Sequence, residues 1–190
     1  IGQDGSLSIN GTGSAYNFQI TSTAALDVDL IARRMSKASA VIAPSPRDTS
    51  VFNIHNNKIT IEYGRPFTRG RLIFGGVVPL DSLWRTGANY PTLIGLEKNI
   101  QIGKTVIPKG TYSLYSIPRK GSWTLIFSKD IESWPTNPDR KKEIAHIELK
   151  ARKIFPKKEQ FTIEVIENKK RALLKLSWDD TEGYAEFKNL

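Results

Sequence analysis

The sequence predicts an all-β protein, an antiparallel β-sandwich or jelly roll of about 8 to 10 strands with a short N-terminal helix. Three observations predict it. Apolar residues recur with period two from Val51 onward, the spacing that turns alternate side chains of a strand to one face. Asn and Lys-Gly pairs interrupt these runs at short intervals, as hairpin turns require. The chain has 190 residues, 39% apolar and 25% charged, enough for one well-buried core and too few for two full domains.

Residues 1–24 are rich in Gly, Ser, Thr and Asn, with weak alternation at Tyr16, Phe18 and Ile20. They read as a leader or one marginal strand. Over 27–37 the pattern changes: Val28, Leu30, Ile31 and Met35 fall at roughly helical spacing, acids Asp27 and Asp29 come first, and Arg33, Arg34 and Lys37 come last. The helix dipole favours that order of charge. Such a helix either covers an edge of the domain or docks on a partner or membrane surface. Ala43-Pro44-Ser45-Pro46 then stops it as a stiff linker. Residues 1–44 are thus expected to be an N-terminal extension, leader or tag, and 45–190 a single β-sandwich domain.

Within that domain Ile59, Ile61 and Tyr63 alternate with Thr60 and Glu62, and Tyr112, Leu114 and Ser116 with Ser113 and Tyr115. Trp123, Leu125 and Phe127 follow, then Ala145, Ile147, Leu149 and Ala151 against His146, Glu148, Lys150 and Arg152. Phe161, Ile163 and Val165, and finally Ala172, Leu174, Leu176 and Trp178, complete the series. Turns are expected at Asn56-Asn57, Gly103-Lys104, Lys109-Gly110, Lys120-Gly121, Asn168-Lys169 and Glu182-Gly183. Pro138 to Glu143 is compatible with a helical turn before the strand at Ile144.

The chain has no cysteine, which removes disulfides, thiolate metal sites and cysteine nucleophiles. No apolar run approaches bilayer length, so no transmembrane segment is expected. The net charge is +9, and the segment Arg140–Lys175 holds twelve Lys/Arg against five Glu. This is either a polyanion-binding face or a solvated strand surface. Nucleic acid is not expected as a partner, because the basic segment lacks the aromatic spacing of a stacking platform.

Catalytic signatures are scarce. Of the two histidines, His55 sits beside a turn, and His146 shares a strand face with Glu148, one ligand short of a metal site. No metal or other cofactor is implied. There is no Gly-x-Ser-x-Gly elbow and no phosphate-cradling loop. Glu62, Asp81 and Glu97 are the carboxylates nearest the arginines and could form a glycosidase pair, or simply neutralise those arginines. Asp179, Asp180 and Glu182 read as a solvated hairpin that could alternatively hold calcium.

The densest chemistry lies in Tyr63-Gly64-Arg65-Pro66, Thr68-Arg69-Gly70-Arg71 and Trp84-Arg85-Thr86-Gly87-Ala88-Asn89. Four arginines there face few local acids, so either a buried ionic network pins the loops or the guanidinium forks wait for carboxylate, sulfate, phosphate or sugar oxygens. Arg85 is expected to pair in the interior. Arg71, beside Gly70, is expected to face a ligand. Trp84 offers a face for stacking on a guanidinium or sugar ring.

These elements, with Val77-Val78-Pro79, Pro108-Lys109-Gly110-Thr111-Tyr112-Ser113-Leu114 and Ser45-Pro46-Arg47-Asp48, resemble the bacterial domain-of-unknown-function family numbered 2911 over about residues 45 to 190. The resemblance also covers Trp134, although Pro135 stands where members commonly have Gly. Residues 1–44 share none of it. The family carries no assigned activity, and its members typically carry export signals, which implies a periplasmic or extracellular location. Two classes of function follow. The first is a non-catalytic envelope or secreted module binding an anionic or glycan-like ligand through Arg65, Arg71, Trp84, Arg85, Asn89 and Trp134. The second is a hydrolase acting on envelope carbohydrate; a scaffold protein without a small-molecule site is the remaining alternative.

Overall fold

The computed structural model describes residues 45–132 and 138–190. The helix expected over 27–37 lies outside them, as do Trp134 and Pro135. Among the described residues there are nine strands and no α-helix: β1 (Arg47–Ile54), β2 (Asn57–Gly64), β3 (Thr92–Leu96), β4 (Ile100–Ile102), β5 (Thr105–Ile107), β6 (Gly110–Pro118), β7 (Ser122–Ser128), β8 (Glu143–Asn168) and β9 (Arg171–Asn189). They hydrogen-bond into one sheet in the order β1-β2-β3-β6-β7-β8-β9-β4-β5. Every neighbouring pair is antiparallel. No helix among the described residues is long and apolar enough to cross a membrane.

The sheet curls back on itself. Strands β2 and β8 are not neighbours in the sheet, yet the Ile163 backbone N–H donates to the Tyr63 hydroxyl at 3.0 Å. Just beyond β2, the chain pairs with β8 through Thr68 N–H to Glu159 O (2.8 Å) and Phe161 N–H to Pro66 O (2.9 Å). The apolar positions expected to face inward do so: Ile59, Ile61, Tyr63, Leu114, Leu125, Phe127, Phe161, Ile163, Leu176 and Trp178 are all buried. Burial of each such side chain is worth about 1.5–3 kcal/mol, so this set dominates the stability of the curl. Asn57, fully buried, ties its open end: its amide donates to Asn189 Oδ1 at 3.0 Å and its Oδ1 accepts from Lys98 N–H at 2.9 Å.

Two expectations are corrected. Glu182-Gly183 is not a turn but the interior of β9. Its glycine answers to packing, since a Cβ on Gly183 would lie 2.7 Å from the Trp123 ring. For the same reason Asp179, Asp180 and Glu182 are strand residues and not a hairpin loop. Each is engaged by a cation of β8: Lys157, Lys153 and Arg152 respectively. Strands β6 and β7 are covered on both faces at their centre, where Ser113, Tyr115 and Ile126 are buried as well. The chain after β7 lies against them, with Ser113 Oγ donating to Asp130 O at 2.8 Å.

Between Asp139 and Glu143 the ambiguous segment forms a single 3-10 turn, Arg140–Lys142, capped by Asp139 accepting the Lys141 N–H at 3.0 Å. Acceptance of an early backbone N–H by an aspartate is the usual start signal for such a turn.

Candidate functional site

Residues 85–91 form a loop inserted into the line of β3. Before it, Trp84 pairs with Ser116 of β6 through reciprocal backbone bonds of 2.7 and 2.8 Å. After it, Thr92 pairs with Leu114, and the Thr92 N–H closes the loop base on Arg85 O at 3.3 Å. The interior is fastened by hydroxyls: Thr86 donates to Ser116 Oγ (3.0 Å) and Thr92 to Thr86 O (2.6 Å). Trp84 Nε1–H reaches Gly87 O at 3.0 Å, and Ala88 N–H reaches Gly64 O at 3.2 Å. That last contact is why position 64 is glycine, since a Cβ there would stand 2.2 Å from the Ala88 carbonyl oxygen.

Beside this loop lies a cavity of about 460 Å³, lined by Arg71, Arg85, Asn89, Trp84 and Trp178, with Pro66, Val77 and Val78 among the smaller groups. Four of the residues singled out from the sequence therefore meet in one place: Arg71, Trp84, Arg85 and Asn89. Arg65 does not line it. Its Nη1 holds Asp48 at 2.8 Å, while Nε and Nη2 donate to Phe161 O and Thr162 Oγ1 at 3.3 Å each. It thus joins β1 to β8. Trp134 lies outside the described residues.

Arg85 overturns the expectation of an interior pair. It is half-buried, and three candidate acids are taken: Asp81 by Arg119 at 3.1 Å, Glu62 by Arg47 at 2.5 Å and Asp48 by Arg65 at 2.8 Å, while Glu97 is exposed and in no ion pair among the described residues. Among the described residues its Nε is buried without a hydrogen-bond partner, and so is Nε1 of Trp178, another residue lining that cavity. Buried donors in folded proteins are nearly always satisfied, and leaving one unmet costs about 1–3 kcal/mol. Both donors belong to residues that line this one cavity, so an acceptor entering there deeply enough would complete them.

Arg71 is exposed and held in place by carbonyls, Nε on Thr68 O at 3.0 Å and Nη2 on Phe67 O at 2.7 Å. Those carbonyls are fixed in turn through Glu159. That acid accepts from the Thr68 hydroxyl and from the Arg69 backbone N–H at 2.9 Å, and these bonds, the Thr68 hydroxyl foremost, hold its carboxyl below its usual range. Asn89 takes a left-handed conformation, φ 64°, which asparagine tolerates better than most residues. Among the described residues no guanidinium lies over the Trp84 ring. That ring stacks on Trp178 with centroids 6.0 Å apart, and Phe161 meets it edge-on at 5.0 Å.

The remaining candidates stand elsewhere. His55 contacts Glu167 at 3.2 Å and His146 contacts Glu143 at 2.6 Å. Among the described residues no three His, Cys, Asp or Glu side chains converge as metal ligands would. Sequence reasoning missed Trp178, whose place at the end of an apolar run marked it as core and gave no sign of an unmet indole N–H.

Residues 45–187 match the model of a family described as "Protein of unknown function (DUF2911)". No curated protein and no solved structure matches the chain.

Proposed function

The chain belongs to the DUF2911 family, and we propose that its arginine cavity is a non-catalytic binding site for a small acidic glycan unit, a uronic acid or its like. The observation that supports this most is Arg85: a permanently charged, half-buried guanidinium with an unmet Nε–H, facing no carboxylate among the described residues. A uronate carboxylate would supply both the missing charge and the missing acceptor. Asn89 would meet a ring hydroxyl, with the Trp178 indole N–H reached only by a group that enters deeply, and the apolar wall of Trp84 and Val77 would meet the sugar carbons.

Hydrolysis is the less supported reading. Glycoside cleavage uses two carboxyl groups about 5–10 Å apart across the bond, and no acid is among the described lining residues. Glu62 and Asp81 are engaged by Arg47 and Arg119, and Glu97 lies exposed at the end of β3. The location we propose is the periplasm or the cell exterior, where acidic glycans are found. We read the curled sheet as a sandwich whose long strands β8 and β9 pass from one layer to the other.

The test is a calorimetric titration with galacturonate, galactose and sulfate. Saturable heat with galacturonate, absent with galactose and abolished by Arg85→Met, is the expected result. Equal binding of galactose, or galacturonate binding that survives Arg85→Met, would overturn the assignment.

A further inference from the structure

A second cavity, of about 440 Å³, shares no described lining residue with the first. The two are separated by an aromatic wall: Phe74 and Trp123 line the second cavity, Trp84 lines the first, and Trp84 meets both of the others edge-on at 6.3 and 6.4 Å. On the second side the floor is apolar. Phe74 and Trp123 lie 4.9 Å apart at 49°, and Leu80 and Ala151 extend them.

The rim of this cavity is cationic. Arg119 and Lys120 come from the β6–β7 turn, and Arg152 and Lys153 come from β8. Three of the four are partly neutralised: Arg119 by Asp81 at 3.1 Å, Arg152 by Glu182 at 2.7 Å and Lys153 by Asp180 at 2.7 Å. Lys120 has no ion pair or hydrogen bond among the described residues, and Glu182 is shared with Lys175 at 2.9 Å, so the rim carries at least one positive charge in excess. Arg119 uses Nε on Asp81 and Nη1 on Thr124 Oγ1, and Arg152 uses Nε and Nη2 on Glu182. Each arginine thus keeps one further nitrogen for a ligand.

From this arrangement we infer that the second cavity binds an organic monoanion with a flat apolar body, an aromatic carboxylate. The body lies against the half-buried Phe74, Leu80 and Ala151, with the buried Trp123 ring behind Phe74, and burial of that apolar area drives binding. The carboxylate sits at the rim between Lys120 and the spare arginine nitrogens, whose charge-assisted bonds fix its orientation. Neither half suffices alone. A bare inorganic anion forgoes the floor, and a neutral aromatic leaves Lys120 uncompensated.

The experiment is isothermal titration of the full chain with naphthoate, with its neutral analogue naphthamide, and with acetate. Naphthoate is expected to bind at least about tenfold more tightly than either, a difference of about 1.4 kcal/mol, and to weaken as salt is raised. Lys120→Glu, at an exposed turn position, is expected to weaken naphthoate at least about tenfold by placing like charges together, with the circular dichroism spectrum unchanged. Saturating galacturonate is expected to leave the naphthoate titration unaltered. Absence of naphthoate binding, naphthamide binding as tightly, or an unaffected Lys120→Glu protein would each overturn the proposal. So would displacement of naphthoate by galacturonate, which would place the aromatic acid in the Arg85 cavity instead.

Discussion

Replacing Arg85 by methionine separates a ligand-facing arginine from a structural one. When a buried arginine is paired with a carboxylate, its removal strands the partner and costs about 3–5 kcal/mol. Arg85 strands nothing among the described residues: Glu62, Asp48 and Asp81 hold Arg47, Arg65 and Arg119, and Glu97 lies exposed at the end of β3. Methionine keeps most of the apolar stem that packs at the cavity wall and removes the buried Nε that lacks a partner among the described residues. Relief of that uncompensated donor offsets the lost packing, so Arg85→Met is expected to leave stability unchanged or raise it by up to about 1 kcal/mol. In thermal terms the gain is about 2–4 °C at this size. The assay is urea denaturation followed by tryptophan fluorescence, reading the midpoint at constant m-value. Arg152→Met is the positive control, since its partner Glu182 is 2% exposed and the loss there is expected to be about 1.5–3 kcal/mol. A loss of about 3 kcal/mol or more for Arg85→Met would refute the reasoning, because it would show a partner inside the fold.

Other expectations follow from the same contacts. Gly64→Ala puts a Cβ 2.2 Å from the Ala88 carbonyl oxygen, and backbone cannot yield as a side chain does, so a loss of about 2 kcal/mol or more is expected in the same denaturation assay. Gly183→Ala meets the Trp123 ring at 2.7 Å and is expected to cost about 1–3 kcal/mol with a changed tryptophan emission spectrum. Glu182 is pushed up by burial, but its bonds from Lys175, Ser177 and Arg152 outweigh that and hold its carboxyl below the ordinary glutamate value of about 4.3. Its stabilising contribution is therefore complete above that value and lost as pH falls through the folded-state pKa. The stability gap between the native protein and Glu182→Gln should be constant near neutrality and shrink on acidification below about pH 4.3, which denaturation midpoints across acid pH would show.

What the sequence made legible was the apolar alternation, because Ile59, Ile61 and Tyr63, or Trp123, Leu125 and Phe127, declare a buried face without reference to anything distant. Gly103 and Gly121 were equally legible as turn residues, and both take left-handed conformations. Strands β4 and β5 were not, since three residues each give no period to read. Nor was the continuity of β8. Its register shifts between Lys153 and Thr162 break the alternation that a regular strand would show. Gly183 misled for a related reason: glycine signals a turn locally, and only the Trp123 ring, sixty positions away in sequence, explains it as a packing requirement. In the site, the Trp-Arg-Thr-Gly-Ala-Asn element pointed to the right loop. The allocation of partners was beyond it, because which acid neutralises which arginine depends on strand pairing: Asp48 reaches Arg65 only because β1 pairs with β2 so that Arg47 stands opposite Gly64.

The claim that Arg85 waits for an acceptor is tested most directly at its own Nε–H. Nitrogen-edited proton NMR selective for arginine side chains, with Arg85→Met to assign the signal, follows that group through a titration with galacturonate and, separately, galactose. The Arg85 Nε–H signal should move downfield and saturate with galacturonate while the Arg65 signal stays in place, and galactose should leave both unchanged. An Arg85 signal that stays fixed while galacturonate binds, or that is already downfield and protected in the free protein, would contradict the account.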